Sequence, residues 1–231
     1  MDFSQLFPSG QFLVSPEELA RKAARVRAYL FDWDGVFTDG SKFADGNSLF
    51  SELDAMGTNL LRFGHWLRHA GEFPFVGIMT GEKNPSSVAL AQREHFDAVY
   101  FRIKNKGEAL GHLLRTYGLQ AEEVAFVFDD VLDLSAAATV GLRLMVRRPA
   151  APLLAEYVSK HQLADYATAS EMHSVREVSE LLLGLLGNYD ETVRKRSQFT
   201  AEYDTYFATR NQRLTKLYTK EAGRIVEAID S

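Results

Sequence analysis

The chain contains no cysteine. That excludes a disulfide framework, thiolate metal sites and cysteine nucleophiles. It also lacks a long apolar run. The richest, Leu181-Leu182-Leu183-Gly184-Leu185-Leu186, is far shorter than the roughly 18 residues of a membrane span, so no membrane partner is expected. There is no surplus of positive charge: 26 Lys and Arg stand against 31 Asp and Glu, for a net charge of −5. Nothing in that balance points to a polyanion, and no nucleic-acid partner is expected. The first residues, MDFSQLFPSGQFLVSPEEL, lack a basic region followed by an apolar block and do not read as a signal peptide. The expected location is cytoplasmic.

What is present is an alternation of short apolar runs with helical patterns. At 231 residues the chain suits one large domain, or one domain with an appendage. Ser15-Pro16-Glu17-Glu18 is a helix start, with Ser15 as cap, Pro16 at the first position and Glu18 closing a capping box. The helix should run to about Arg27 and feed a strand over 28–33. Further strands are expected at 75–79, 98–101, 124–128 and 142–146, with a weaker one at 165–167. Helices are expected at 54–71, 84–95, 106–117, 132–140, 152–161 and 174–186. Strands apolar on both faces and separated by helices make an α/β doubly wound, Rossmann-like parallel sheet. Lys42 to Phe50 alternates around Asp45-Gly46 and reads as a β-hairpin flap, about 41–53. From Tyr189 to Ser231 there is no proline and a single glycine, Gly223. Apolar positions there recur at helical spacing, so a C-terminal helical extension over 188–231 is expected, as one helix or two, following a domain over 1–187.

In a parallel sheet, ligands bind beyond the carboxyl ends of the strands. Asp32 and Asp34 follow the first long strand, Thr80-Gly81 the second, and Asp129-Asp130 a later one. Two carboxylates as close as Asp32 and Asp34 repel unless a cation is present. An all-oxygen ligand set suits Mg²⁺. Lys106 opens a helix, where free N–H groups favour phosphate.

The segments Asp32-Trp33-Asp34-Gly35-Val36-Phe37-Thr38-Asp39-Gly40, Met79-Thr80-Gly81, Lys106 and Asp129-Asp130-Val131-Leu132-Asp133 resemble, in order, the four motifs of the haloacid dehalogenase (HAD) superfamily of phosphohydrolases. Within it, the long first motif and the stretches Ala164–Thr168 and Val175–Val178 resemble the 3-deoxy-D-manno-octulosonate 8-phosphate (KDO 8-phosphate) phosphatase group. The resemblance covers roughly residues 24–187. It implies a phosphatase with Asp32 as nucleophile, forming an aspartyl-phosphate, and Asp34 as general acid and base. Thr80, Gly81 and Lys106 would hold the phosphoryl oxygens. Asp32, Asp129 and the Asp34 backbone carbonyl would bind Mg²⁺, with Asp130 and Asp133 as supporting or alternate ligands. The gaps of 45 residues between Asp34 and Thr80, and 25 between Thr80 and Lys106, leave no room for a separate cap domain. The resembling group covers its open sites by tetramerising. A homo-oligomer, a tetramer, is the corresponding expectation, with the 188–231 extension serving oligomerisation or site cover.

Several positions depart from the group's pattern. Phe128 stands where a glycine usually precedes the acidic pair, and Glu82 where an arginine commonly follows Thr-Gly. Phe50–Gly57 lacks an Arg-Asp-Gly, and Glu171-Met172-His173-Ser174 replaces a glycine-rich stretch. In the resembling group these positions shape the leaving-group end or the rim of the site, not the phosphoryl core, so the resemblance supports the chemistry better than KDO 8-phosphate as substrate. They also leave an alternative, a catalytically silent HAD-like oligomerisation or regulatory module of sugar-nucleotide metabolism. His65 and His69 are four apart on a helix, but no acidic third ligand accompanies them. Trp33, between the two aspartates, could face either substrate or core.

Overall fold

The computed structural model describes residues 2–168 and 172–228. A helical turn, α1 (Phe3–Leu6), and a two-residue strand, β1 (Gln11–Phe12), precede the first expected helix. That helix, α2 (Pro16–Ala23), starts as Ser15-Pro16 dictates: Ser15 Oγ accepts the Glu18 N–H at 3.2 Å. Then follow β2 (Ala28–Phe31), α3 (Glu52–Arg68), β3 (Phe75–Met79), α4 (Pro85–Glu94), β4 (Ala98–Tyr100) and α5 (Lys106–Tyr117). The alternation continues with β5 (Val124–Phe128), α6 (Leu134–Ala137), β6 (Leu142–Met145), α7 (Pro152–Lys160), β7 (Tyr166–Ala167) and α8 (Ser174–Leu185). Beyond these lie α9 (Tyr189–Ser197), α10 (Ala201–Arg210), β8 (Lys216–Glu221) and β9 (Arg224–Glu227).

The strands form one nine-stranded sheet in the order β1-β7-β6-β5-β2-β3-β4-β8-β9. All neighbours are parallel except the two outermost pairs, β1 with β7 and β8 with β9. Side chains alternate across the sheet as a pleat requires. Tyr29, Phe31, Val76, Ile78, Ala125 and Val127 face a core closed by α2, α3 and α8. Ala28, Leu30, Phe75, Met79, Phe126 and Phe128 face a second core closed by α5, α6 and α7. Burial on both faces explains why the central strands are apolar throughout. It also explains Phe128: the side chain is fully buried and stacks on Phe126 with ring centroids 5.8 Å apart. That departure fills the core and leaves the site untouched.

Two sequence expectations are corrected. The extension is helical only as far as Arg210, after which it forms a hairpin that adds two strands to the sheet. β4 would otherwise present unpaired N–H and C=O groups along an open edge. β8 satisfies them, with Tyr218 opposite Tyr100 and their rings stacked at 4.8 Å. The turn is Ala222-Gly223, both with positive φ (46° and 81°), the backbone signature of a tight hairpin. The flap, by contrast, forms no strand. Its turn closes with the Phe43 N–H donating to the Asn47 carbonyl at 2.8 Å, but no ladder extends from it. An isolated two-stranded ribbon has too little to pack against to persist. The departure at Glu171 lies outside the described residues.

Candidate active site

The parallel ladder between β2 and β5 runs one residue past β2: the Asp32 N–H donates to the Val127 carbonyl at 2.9 Å. The Asp32 carboxylate is thereby fixed at the sheet's carboxyl edge, 7 % exposed. Its Oδ1 lies 2.6 Å from Lys106 Nζ and also accepts the Trp33 N–H at 2.6 Å. Lys106 occupies the first position of α5 and is 3 % exposed. Its ammonium pairs with Asp133 as well. Asp133, at the end of the short turn Val131–Asp133, is fully buried. Its Oδ2 accepts the N–H groups of Asp129 (3.3 Å) and Asp130 (3.1 Å), so it shapes the acidic loop while balancing Lys106.

Carboxylate oxygens of Asp32, Asp129 and Asp133 all lie within 4.8 Å of one another. Three carboxylates against the charges of Lys106 and Arg148 leave one formal negative charge uncompensated. Burial pushes the Asp32 carboxyl well above the usual range, Lys106 opposes that, and Asp133 and Asp129 add to it. Asp129 is raised to about 6 by burial and by repulsion from Asp133, against the pull of Arg148. Burial alone would lower the Lys106 ammonium, but attraction to Asp32 and Asp133 outweighs it and the net shift is upward. Asp129 Oδ1 is buried with no hydrogen-bond partner. A buried, unpartnered carboxylate oxygen inside a net-negative oxygen cluster fits a divalent cation.

The remaining expected residues surround this cluster. Asp34 lines the cleft, with Oδ2 2.7 Å from Lys42 Nζ of the flap and Oδ1 3.5 Å from Asn84 Nδ2. Thr80 directly follows β3, is buried, and its Oγ1 accepts the Glu82 N–H at 3.5 Å. Gly81 and Glu82 line the cleft beside it. Asp130 is not drawn into the cluster: its carboxylate accepts the neighbouring Val131 N–H at 2.7 Å and caps the turn. Trp33 faces the core. It is fully buried, stacks on Phe37 at 5.3 Å and donates Nε1–H to Ser48 Oγ at 2.9 Å, tying the flap to the strand end. His65 and His69 stack at 4.1 Å, and His65 Nδ1 lies 3.4 Å from Tyr29 OH, near the opposite end of β2.

Arg148, in the loop after β6, is the site residue that sequence reasoning missed. Its Nε donates to Asp129 Oδ2 at 3.1 Å and its Nη2 to the Gly35 carbonyl at 2.7 Å. The signal was there: Arg147-Arg148 follows a strand's carboxyl end, the same placement that singles out Asp32 and Asp129.

No protein-family model matches the chain. The KDO 8-phosphate phosphatase KdsC of Escherichia coli K12 is 34 % identical over 181 residues, covering 77 % of this chain and 89 % of the relative. The chain belongs to the HAD-superfamily phosphatases of the KdsC family. The crystal structure of the Yersinia pestis KDO 8-phosphate phosphatase superposes on this phosphatase with a TM-score of 0.59 at 26 % identity, covering 75 % of this chain and 89 % of that one. A probable YrbI-family phosphatase from Pseudomonas syringae gives a TM-score of 0.64 at 26 % identity, covering 80 % and 99 %. With this membership and the aspartate cluster intact, the phosphatase is an enzyme and the silent-module alternative falls.

Proposed function

We propose that this phosphatase is a Mg²⁺-dependent phosphomonoester hydrolase acting through an aspartyl-phosphate on a small phosphorylated metabolite, a sugar phosphate of the KDO 8-phosphate or nonulosonate type. The observation that carries the reading is the buried Asp32 carboxylate, 2.6 Å from Lys106 Nζ at the floor of a cleft of about 900 Å³. An Asp32 oxygen attacks phosphorus as the bond from phosphorus to the leaving oxygen breaks, and Asp34 gives that oxygen a proton. Asp34 then takes a proton from water as water attacks the acyl phosphate, releasing phosphate and restoring Asp32. Lys106, Thr80 and the Gly81 backbone face the charge that develops on the phosphoryl oxygens. In the free chain Lys42 occupies Asp34 Oδ2, so proton donation requires the flap ammonium to move aside. Asp32, Asp129 and the Asp34 carbonyl would hold Mg²⁺, with Asp133 as the alternate carboxylate; the ion would supply neutralising charge between nucleophile and phosphoryl group.

The substrate class rests on the KdsC relatives, whose names specify KDO 8-phosphate. Oligomerisation is part of the same proposal. Phe43 and Leu49 of the flap are 57 % and 75 % exposed, Val131 and Leu132 of the acidic loop 60 % and 62 %, and Leu153 on α7 78 %. A second copy of the chain, in a homotetramer, would bury this apolar rim and exclude water from the cleft. No described residue of the extension lines the chain's own cleft, which favours an interface role for that segment over cover of its own site. A cytoplasmic location fits a soluble metabolite substrate.

The test is phosphate release from an aryl phosphate with Mg²⁺ and with EDTA, followed by a panel of sugar phosphates and nucleoside monophosphates. Release with Mg²⁺ alone, highest on an acidic sugar phosphate, is expected. Full activity in EDTA, or in Asp32→Asn, would contradict the reading.

A further inference from the structure

Arg148 bridges two loops that sequence separates widely. One guanidinium holds Asp129 Oδ2 through Nε (3.1 Å) and the Gly35 carbonyl through Nη2 (2.7 Å). Its Nη1 also reaches the Asp39 carbonyl, at 3.5 Å. The side chain is 19 % exposed, so these bonds form largely out of water. The other Asp129 oxygen, Oδ1, is buried and has no hydrogen-bond partner. The pair is packed hard against the first motif: a Cβ on Gly35, whose φ is +89°, would sit 1.8 Å from Asp129 Oδ2 and 2.8 Å from Arg148 Nη2. The Asp129 carboxylate is therefore confined by the Gly35 backbone and the Arg148 fork.

We infer that Arg148 is a positioning residue for the cation site: by keeping Asp129 Oδ2 engaged, it restricts Asp129 to a single ligand oxygen and so favours a small divalent cation over a larger one. The physical basis is the difference between two ions of equal charge. Mg²⁺ demands near-octahedral geometry, whereas Ca²⁺ takes more oxygens and accepts both oxygens of one carboxylate. Freed from Arg148, Asp129 can offer both. Removing a positive charge should also strengthen binding of any divalent cation, but that effect is common to the two ions. It cancels in the ratio of their affinities, which leaves the orientation of Asp129 as what the ratio reports.

This inference rests on the metal reading of the site, and its test uses the metals alone, without substrate. Binding of MgCl₂ and of CaCl₂ is measured separately by calorimetry on the full native chain, Arg148→Met and Arg148→Lys, with thermal midpoints in EDTA as a folding control. Arg148→Met is expected to lower the Mg²⁺-to-Ca²⁺ affinity ratio about tenfold, at the lower end of what loss of a residue that orients a metal ligand usually costs. Arg148→Lys keeps the charge but cannot span Asp129 and Gly35 together, and should lose part of the ratio. It also answers the question should Arg148→Met not fold. A native chain that binds neither ion would overturn the metal reading itself. Native binding with a ratio unchanged in the variants, whatever happens to the individual affinities, would overturn the role of Arg148 alone.

Discussion

Strand β2 carries Tyr29 near its amino end and delivers Asp32 beyond its carboxyl end, and the two ends keep buried ionisable groups in opposite states. At the amino end, Tyr29 OH meets His65 Nδ1 at 3.4 Å, and His65 stacks on His69. Burial, with His69, Arg27 and Arg68 nearby, lowers the His65 pKa to about 3, so the ring is neutral in the native state. At the carboxyl end, Asp32, Asp129, Asp133, Lys106 and Arg148 gather in one cluster. A core built only for stability sheds buried charge, because burying ions costs more than their attraction commonly returns. The charged end is the cost of meeting a phosphoryl group; the neutral end is the same strand without that demand.

The comparison breaks most sharply at Lys106. Lys106→Met leaves Asp32 and Asp133 facing each other without their shared cation, and kcat should fall by about 10²- to 10³-fold. Steady-state kinetics at saturating Mg²⁺ read this directly, and a loss below about threefold would place the phosphoryl contact elsewhere. A change away from both ends should do the reverse. Tyr218 is 4 % exposed, stacks on Tyr100 and shares a hydrogen bond of 3.1 Å with Tyr117 OH. Tyr218→Ala should cost about 3 kcal/mol of stability by denaturant unfolding, with kcat unchanged. A marked fall in kcat at intact fold would show that the hairpin reaches the site.

The neutral end predicts a pH dependence. Unfolded chains protonate histidine below about 6.5, while native His65 resists until about 3. The unfolded state therefore binds the extra proton across that window, and stability is lost as pH falls from 6.5 towards 3. The contribution is on the order of 1 kcal/mol per pH unit. In His65→Leu that part of the slope should vanish in urea titrations between pH 6.5 and 4. An unchanged slope would mean that His65 is charged in the native state.

Much of this was legible from sequence because it depends on local pattern plus one topological rule. Apolar runs ending in Asp32, Thr80 and Asp129 mark strand ends, and parallel strands bring their carboxyl ends to one edge. The helix start at Ser15-Pro16 was readable for the same reason: capping chemistry is local. The hairpin at 216–227 was not. Leu214, Leu217, Tyr218 and Ile225 also match a helical period, and only the open edge of β4 decides for a strand. The flap failed in the opposite direction, since a good turn at Asp45-Gly46 does not guarantee a ladder. Arg148 follows the carboxyl end of β6 and was open to the same strand-end rule, but its partners, 19 and 113 residues away, were not readable from local pattern. Trp33 was ambiguous because a residue between two site aspartates can face either way. Ser48 and Phe37 fix it in the core.

The central claim is that Asp32 is the nucleophile. Its most direct test is to mix the Asp34→Asn variant, which should stall breakdown of the intermediate, with Mg²⁺ and an aryl phosphate, whose leaving group departs without a proton from Asp34, quench with borohydride and map the reduced residue by mass spectrometry. Reduction to homoserine at position 32, absent in Asp32→Asn, is the predicted result. A reduced Asp129 or Asp133, or undiminished turnover in Asp32→Asn, would contradict it.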